Sequence, residues 1–240
     1  PDRLGSYEKF LFRMEFLFRN TSDFVATPGG YGTVAEIFSF MAMKSHGAVG
    51  DPIVFGAPDD YYDKFNAAFA PLVNEWERGD LKNVFHDAAE LAKFVKKAPD
   101  TLPEENVKAF TARMKSDLER GFKALDGKPH AIAFFGGASE RTQANAGPAA
   151  EIAEAMAKAG NTLRVGGSPI LDQAVLKAAQ KVNPDVELQA FAMNDAPVES
   201  EKGLDYTKVQ DVLVLRELMD SNLKGIVVSP DGAKQIALLF

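Results

Sequence analysis

Residues 24–36 read FVATPGGYGTVAE, and this stretch decides the fold. An apolar run ends at Pro28, three of the next four residues are glycines, and helical spacing of apolar residues begins at Thr33. This order predicts a buried strand, a tight turn and a helix. Glycine lets the backbone approach a ligand closely, and the amide N–H groups and dipole of a helix start favour an anion. The sequence therefore predicts that residues 28–33 bind a nucleotide phosphate through the amides of residues 30–33. A plain strand-to-helix turn is the alternative.

Strands and helices alternate on either side of this turn. Predicted strands lie at residues 24–27, 52–56, 131–135, 162–165, 186–193 and 225–229. Predicted helices lie at residues 7–20, 33–44, 60–73, 147–159, 171–182 and 208–223. The alternation predicts an α/β protein with a Rossmann-like parallel sheet and flanking crossover helices. Residues 74–125 contain no convincing strand but two amphipathic helical patterns, at 87–97 and 104–125, which predict a helical linker or cap.

Composition narrows the classes of function. The 240 residues suffice for one large domain or two small ones, and no apolar run approaches the length of a membrane helix. Cysteine is absent, which rules out disulfides and thiolate metal sites and suits the cytoplasm or another reducing compartment. The net charge of −7 argues against a general nucleic-acid surface. The three histidines lack metal-ligand spacing, so no metal is expected. No cofactor is expected either.

Two charged residues near the glycine turn are candidates for chemistry. Glu36 lies three residues after Thr33, and this spacing also fits a capping box, which the residues alone favour. A carboxylate one turn inside the helix could instead face the ligand and stabilise a developing cation. Arg13 lies on a mostly apolar predicted helix, where an arginine is usually a snorkelling surface residue. It could also pair with phosphate or orient Glu36.

Two further strand ends run into glycine turns, at Gly136 and Gly137 and at Gly166 and Gly167. Together they suggest that adjacent strand ends line one crevice. We therefore predict that the strand ends at Thr27, Phe135 and Val165 lie on the same edge of one sheet.

The two ends of the chain show a weak internal repeat. Each contains an arginine-bearing helix, a short apolar strand, a Pro-x-Gly turn and a helix start. The first copy is Arg13 followed by FVATPGGYGT, and the second is Arg216 followed by IVVSPDGAKQ. The repeat suggests two copies of one unit, although strand-turn-helix units in any α/β protein look alike.

The stretch from Arg13 to Glu36 resembles the signature of the Lonely Guy (LOG) family, an arginine-bearing helix, a strand and then PGGxGTxxE. Members of that family, often mislabelled lysine decarboxylases, are phosphoribohydrolases that cleave nucleoside 5′-monophosphates. The continuation PIVFGAPDDYYDKF is similar to the family's next strand and its Tyr-Tyr helix. In swapped order, FFGGASERT and residues 160–171 resemble its first two strands and their glycine turns. The resemblance covers residues 4–73 and 128–240.

The swapped order implies a circular permutant or a piece of a tandem duplication. It divides the chain into a late half of a LOG-like unit (1–75), a helical linker or cap (76–127) and an early half with a degenerate second motif (128–240).

The sequence departs from the family's pattern in two places. Met14 stands where the family has a lysine after the arginine. In the second motif the Gly-Thr pair is missing and Leu238 stands where the glutamate belongs, so that site is expected to be inactive.

The resemblance implies that Glu36 is the catalytic carboxylate and Arg13 its partner. It implies a phosphate site at Gly29, Gly30, Gly32 and Thr33, which the later turns at Gly136, Gly137, Gly166 and Gly167 would complete. The expected activity is hydrolysis of the N-glycosidic bond of a nucleoside 5′-monophosphate, in a homodimer or larger homo-oligomer. The alternative is a nucleotide-binding regulatory or scaffold protein that has lost catalysis. Decarboxylation is disfavoured because nothing indicates a cofactor-linked lysine.

Overall fold

The computed structural model describes residues 13–14, 17–18, 24–45, 53–73, 77–95, 104–136, 140–166, 168–194, 204–210 and 212–228. Residues 13–14 and 17–18 are helical, in agreement with the helix predicted over 7–20. The strands are β1 (Phe24–Ala26), β2 (Ile53–Gly56), β3 (Val84–Phe85), β4 (Ala131–Phe135), β5 (Thr162–Val165), β6 (Leu188–Met193), β7 (Tyr206–Val209) and β8 (Leu223–Val228). The α-helices are α1 (Tyr31–Ser45), α2 (Tyr61–Phe69), α3 (Ala88–Phe94), α4 (Glu104–Leu125), α5 (Glu140–Lys158), α6 (Pro169–Val182) and α7 (Val212–Asp220), and a 3₁₀ helix spans Glu77–Lys82.

The strands form two parallel sheets flanked by helices. The first sheet has the order β1-β2-β3, and the second has the order β7-β6-β5-β4-β8. Strand–helix–strand connections between parallel neighbours are the arrangement that the alternating sequence pattern predicts. The Rossmann-like α/β prediction is therefore confirmed.

The prediction of one shared sheet edge is wrong. Thr27 follows β1 in the first sheet, whereas Phe135 and Val165 end the neighbouring strands β4 and β5 of the second sheet. The physical reason is that β8 pairs with β4 along its whole length and completes the second sheet on the side away from β5. No position beside β4 is left for β1.

The two sheets share a hydrophobic core through helices α1 and α7. Helix α1 is buried continuously from residue 37 to residue 43, so it behaves as a core helix rather than a surface helix. One cluster contains Ile37 and Phe38 of α1, Phe55 of β2, Phe135 of β4 and Leu215 of α7. A second cluster lies between the second sheet and helices α5 and α6. The core that spans both sheets therefore fixes α1, which opens with the glycine turn.

Arg164 of β5 holds helix α7 at its C-terminal end. Its side chain is fully buried and its guanidinium donates to the carbonyl oxygens of Leu218 (2.7 Å), Met219 (3.2 Å) and Ser221. It also donates to Gln189 Oε1 at 2.8 and 3.0 Å. Carbonyls in the last turn of a helix have no intrahelical donor, so the arginine supplies the donors that α7 lacks. Burial lowers the pKa of Arg164 to about 10, although a Coulombic contribution from Asp220 opposes the shift.

Helix α4, part of the predicted linker, covers the edge strand β7. Asp117 is buried and its Oδ2 accepts from the amide of Gln210 at 2.7 Å. Arg120 pairs with Asp117 and donates to the carbonyl oxygen of Lys208 at 2.9 Å. The helix thus supplies partners to backbone groups that an edge strand leaves without a neighbouring strand.

Candidate functional site

The glycine turn connects β1 to a helix that begins earlier than the sequence predicts. Helix α1 begins at Tyr31, and the amides of Thr33 and Val34 both donate to the carbonyl oxygen of Gly30, at 3.0 and 3.2 Å. Thr33 therefore lies inside the first turn rather than at the N-cap. The capping-box interpretation of Thr33 and Glu36 is wrong, because that motif needs the threonine outside the helix.

The early helix start also changes which amides are available to an anion. The amide of Thr33, one of the predicted donors, is occupied by Gly30. The amides of Gly30 and Gly32 lie where helix geometry provides no intrahelical acceptor. Both glycines are exposed, and a Cβ on either would meet no atom within 4 Å. An approaching anion would thus find open space and helix-start donors at these two residues.

Gly29 differs from Gly30 and Gly32 because there is no space for a side chain at its position. A Cβ at this position would overlap the side chain of Thr33, which folds back over the turn. Thr33 is β-branched and its Cβ also lies close, so rotation of the side chain would not remove the conflict. The three glycines of the turn thus divide into one packing glycine, Gly29, and two that border open space, Gly30 and Gly32.

Glu36 and Arg13, predicted as catalytic partners, are in contact. Arg13 Nη2 donates to Glu36 Oε1 at 2.8 Å. Glu36 extends from the second turn of α1, and its side chain is 21% exposed, against 48% for Arg13. Both side chains are reachable from solvent, and a charge-assisted hydrogen bond fixes the carboxylate. The structure therefore brings together two residues that are 23 positions apart in the chain.

A tyrosine that sequence reasoning did not assign to the site contacts the glycine turn. Tyr61, the first residue of α2, donates its hydroxyl to the carbonyl oxygen of Gly29 at 3.0 Å. Its amide donates to Asp59 Oδ1 at 3.1 Å. The sequence did contain a signal, since this residue belongs to the Tyr-Tyr pair in the family-like stretch after β2. The pair alone could not show which carbonyl its hydroxyl would reach.

The loop after β2 is tied in turn to the end of β3. His86 Nδ1 lies 3.1 Å from the carbonyl oxygen of Ala57 and 3.0 Å from that of Asp59. Because a carbonyl oxygen only accepts, Nδ1 carries the proton in both contacts. His86 Nε2 lies 3.2 Å from Asp63 Oδ2. Contacts thus link the carboxyl ends of all three strands of the first sheet.

Two of the other predicted ligand-binding glycines, Gly136 and Gly166, follow strands of the second sheet. Gly136 follows β4 and Gly166 follows β5, so they end neighbouring strands as expected, but on the sheet that lacks the PGGYGT turn. A Cβ on Gly166 would lie 2.9 Å from the Met219 side chain, which indicates a packing role against α7. Gly137, Gly167 and the degenerate second motif lie outside the described residues.

Within the described part of the chain, no cluster of histidine, aspartate and glutamate could hold a metal ion. In the same residues no helix combines the length and apolar character needed to cross a bilayer. The groups that the described residues present at and near the turn include backbone amides, the Glu36 carboxylate and the Arg13 guanidinium.

The fold and the site together define a class of protein. It has a parallel α/β unit with a glycine turn at a helix N-terminus, and an acid–arginine pair one turn further along. Residues 2–102 match a protein family described as "possible lysine decarboxylase", the family that contains the LOG proteins. The match includes the PGGYGT motif, so the resemblance inferred from that motif is confirmed over these residues. None of the curated proteins compared with the chain matches it.

Proposed function

We propose that the chain hydrolyses the N-glycosidic bond of a nucleoside 5′-monophosphate and releases the base and ribose 5-phosphate. The observation that carries this proposal is the Arg13–Glu36 ion pair, at 2.8 Å, one turn inside the helix that the PGGYGT loop opens. The family match over residues 2–102 supports a phosphoribohydrolase at the level of the family. The base and the exact nucleotide are part of the proposal.

The geometry supports a division of roles between loop and carboxylate. The amides of Gly30 and Gly32 would bind the 5′-phosphate at the positive end of the α1 dipole. Binding energy from the phosphate would place the ribose over Glu36. As the bond from C1′ to the base breaks, positive charge develops on the ribose, and a fixed carboxylate lowers the barrier electrostatically. The hydroxyl group of a water molecule bonds to C1′, and the remaining proton of that water is transferred to the departing base.

Arg13 would have two roles, to orient Glu36 and to contact the anionic ligand. Its hydrogen bond holds the carboxylate in one orientation, which is the preorganisation that electrostatic stabilisation requires. About half of the Arg13 side chain remains exposed, so the same guanidinium can also contact an anionic ligand.

The separation of the sheets favours a second candidate, a nucleotide-binding protein without turnover. Gly136 and Gly166 follow strands of the second sheet, so the first sheet supplies only one predicted wall of the crevice. A ligand held by that wall alone would be bound but poorly enclosed, and exclusion of water contributes to catalysis.

The two-sheet arrangement also bears on how the chain is organised. We propose that residues 1–75 and 128–240 are the late half of one copy and the early half of a second copy of the same unit, joined by residues 76–127. A circular permutant predicts one continuous sheet, whereas β1-β2-β3 and β7-β6-β5-β4-β8 are separate. This separation supports the tandem alternative.

The decisive experiment incubates the protein with adenosine, guanosine, cytidine and uridine 5′-monophosphates and measures released base and ribose 5-phosphate. The parent nucleosides serve as controls, because without a phosphate they lose the interaction with the glycine loop. We expect cleavage of at least one monophosphate and much slower cleavage of its nucleoside. Bound monophosphate should also raise the melting temperature. Binding without cleavage would leave the regulatory candidate. Absence of both binding and cleavage at millimolar ligand would contradict both candidate functions.

A further inference from the structure

The hydroxyl of Tyr61 makes a bond that connects two loops of the first sheet. It reaches from the N-terminus of α2 to the carbonyl oxygen of Gly29, 32 residues earlier in the chain, at 3.0 Å. Gly29 lies in the turn that presents the exposed amides of Gly30 and Gly32. The carbonyl of Gly29 belongs to the same peptide unit as the Gly30 amide. A bond that fixes this carbonyl therefore also fixes the direction of an amide that would meet the phosphate.

We propose that Tyr61 is a positioning residue that holds the glycine turn in its anion-binding conformation, and that His86 supports it from the end of β3. This inference rests on the proposed function for the identity of the ligand. The ordering of the turn by Tyr61 does not depend on the proposed function.

A glycine-rich turn needs such a restraint because glycine loses more backbone freedom on ordering than any other residue. Where the turn is already ordered, ligand binding no longer bears that entropic cost. A Cβ on Gly29 would overlap Thr33, and the Gly29 carbonyl oxygen accepts from Tyr61. A Cβ on Gly30 or Gly32 would meet open space, so the restraint from Tyr61 would reach these two residues through the backbone.

The ring of Tyr61 is itself held in place. Its plane is nearly parallel to that of Phe65, with centroids 6.4 Å apart, and perpendicular to that of Tyr62, with centroids 5.0 Å apart. At the backbone, Asp59 Oδ1 accepts from the Tyr61 amide, and the Asp59 carbonyl accepts from His86. The hydroxyl thus belongs to an aromatic side chain whose rotamer is constrained by packing on α2. A constrained donor orders its acceptor more than a flexible one would.

The adjacent tyrosine provides a matched control. Tyr62 is fully buried, and its hydroxyl has no hydrogen-bond partner within the part of the chain that the structure describes. Burial, with a smaller contribution from Tyr61, raises its pKa, so this hydroxyl stays protonated. Tyr62→Phe removes the same atom from the same helix without removing a bond. Tyr61→Phe keeps the ring and removes only the donor to Gly29.

The experiment compares Tyr61→Phe, Tyr62→Phe and the parent protein by amide hydrogen exchange of residues 29–33 without ligand, and by steady-state kinetics with the best monophosphate. Loss of one hydrogen bond corresponds to roughly a two- to twelvefold change. We expect Tyr61→Phe to accelerate exchange in the turn and to raise KM by about this factor, with kcat changed less than KM. Tyr62→Phe should match the parent in both measurements.

Equal exchange of the turn in Tyr61→Phe and the parent protein would overturn the proposal, as would equal acceleration in the two variants. A purely structural role for Tyr61 would lower the melting temperature without a selective change in residues 29–33, and this also counts against it. If exchange accelerates only in Tyr61→Phe but the parent cleaves no nucleotide, the positioning role stands and the proposed function fails. Calorimetric titration with adenosine 5′-monophosphate then measures the same weakening as a change in Kd.

Discussion

Two arginines from distant parts of the chain contact helix α1 one turn apart, and they do so in different surroundings. Arg13 bonds Glu36, and its side chain is 48% exposed. Arg216 of α7 donates to the buried hydroxyl of Ser39 at 2.9 Å and lies 3.6 Å from Asp220, with only 15% of its own side chain exposed. These are the arginines that correspond in the internal repeat. The first arginine is thus half exposed beside a partly exposed carboxylate, whereas the second joins two packed helices.

The difference shows that one sequence pattern can place an arginine beside a partly exposed carboxylate in one case and in a buried, packed position in the other. Burial lowers the pKa of Arg216 while Asp220 opposes that shift, which is the signature of a charge removed from water and partly compensated. The pairing of Arg13 with Glu36 involves no comparable burial. We therefore expect arginine substitutions in the second sheet and α7 to reduce stability, and substitutions of the Arg13–Glu36 pair to reduce turnover.

The largest effect on stability is expected for Arg164→Ala, the extreme case of a buried arginine. Its removal leaves several buried carbonyl oxygens at the end of α7 without a donor, and each such orphan costs about 1–3 kcal/mol. We expect the free energy of unfolding to fall by about 3 kcal/mol or more, measured by urea denaturation followed by circular dichroism. Arg13→Ala is the control. A loss below about 1 kcal/mol for Arg164→Ala would contradict the structural role.

The largest effect on turnover is expected for Glu36→Gln. The amide keeps the shape but loses the charge that would stabilise the cationic ribose, so kcat should fall by about 10²-fold or more. Binding of the monophosphate should persist, because the predicted phosphate contacts come from the backbone of the turn. Kinetics and calorimetry on the same preparation separate the two. A folded Glu36→Gln variant that binds and turns over at the parental rate would refute the catalytic assignment.

The glycine turn gives a prediction of intermediate size. Gly29→Ala introduces a Cβ that overlaps Thr33, and such overpacking typically costs about 1–3 kcal/mol. Gly30→Ala adds the same methyl group where it meets no atom within 4 Å. Thermal unfolding without ligand should therefore show a lower melting temperature for Gly29→Ala than for Gly30→Ala. Equal melting temperatures would mean that Thr33 moves aside freely.

The last prediction compares directly the effects of replacing the two arginines of the internal repeat. Arg216→Ala removes a largely buried donor and should reduce stability by about 1–3 kcal/mol. Arg13→Ala breaks an exposed pair and should change stability by no more than about 1 kcal/mol. On turnover the order should reverse, with Arg13→Ala lowering kcat/KM roughly tenfold, the scale of one charge-assisted hydrogen bond. The same order in both measurements would show that the two arginines do not divide these roles.

Much of the fold was predictable because the patterns involved are long. The helix predicted over residues 104–125 matches α4, and Gly160, predicted to end the preceding helix, has a φ of 75° two residues after α5 ends. Strand β3 was missed because two residues cannot display a period of two. The last two residues of strand β7 fell inside the helix predicted from residue 208, and α5 begins seven residues before its prediction. Pro148 lies inside that helix, although proline is more typical of a helix start.

The site was predictable where it is local and not where it depends on the sheets. The PGGYGT turn and the position of Glu36 in the helix that follows it belong to one contiguous motif, and the family resemblance implied the contact of Arg13 with Glu36. The membership of Gly136 in another sheet could not be read from sequence, because it depends on β8 occupying the side of β4. The bond from Tyr61 to Gly29 likewise depends on the register of β1 against β2.

Helix α4 does more than connect the two sheets along the chain. Asp117 and Arg120 bond the backbone of residues 208 and 210, so the connecting segment also shields an exposed β-edge from other chains. A flexible Gly-Ser spacer of equal length would preserve the connectivity but leave that edge open to intermolecular strand pairing. We therefore expect the surface of this segment, rather than its length, to limit what can replace it.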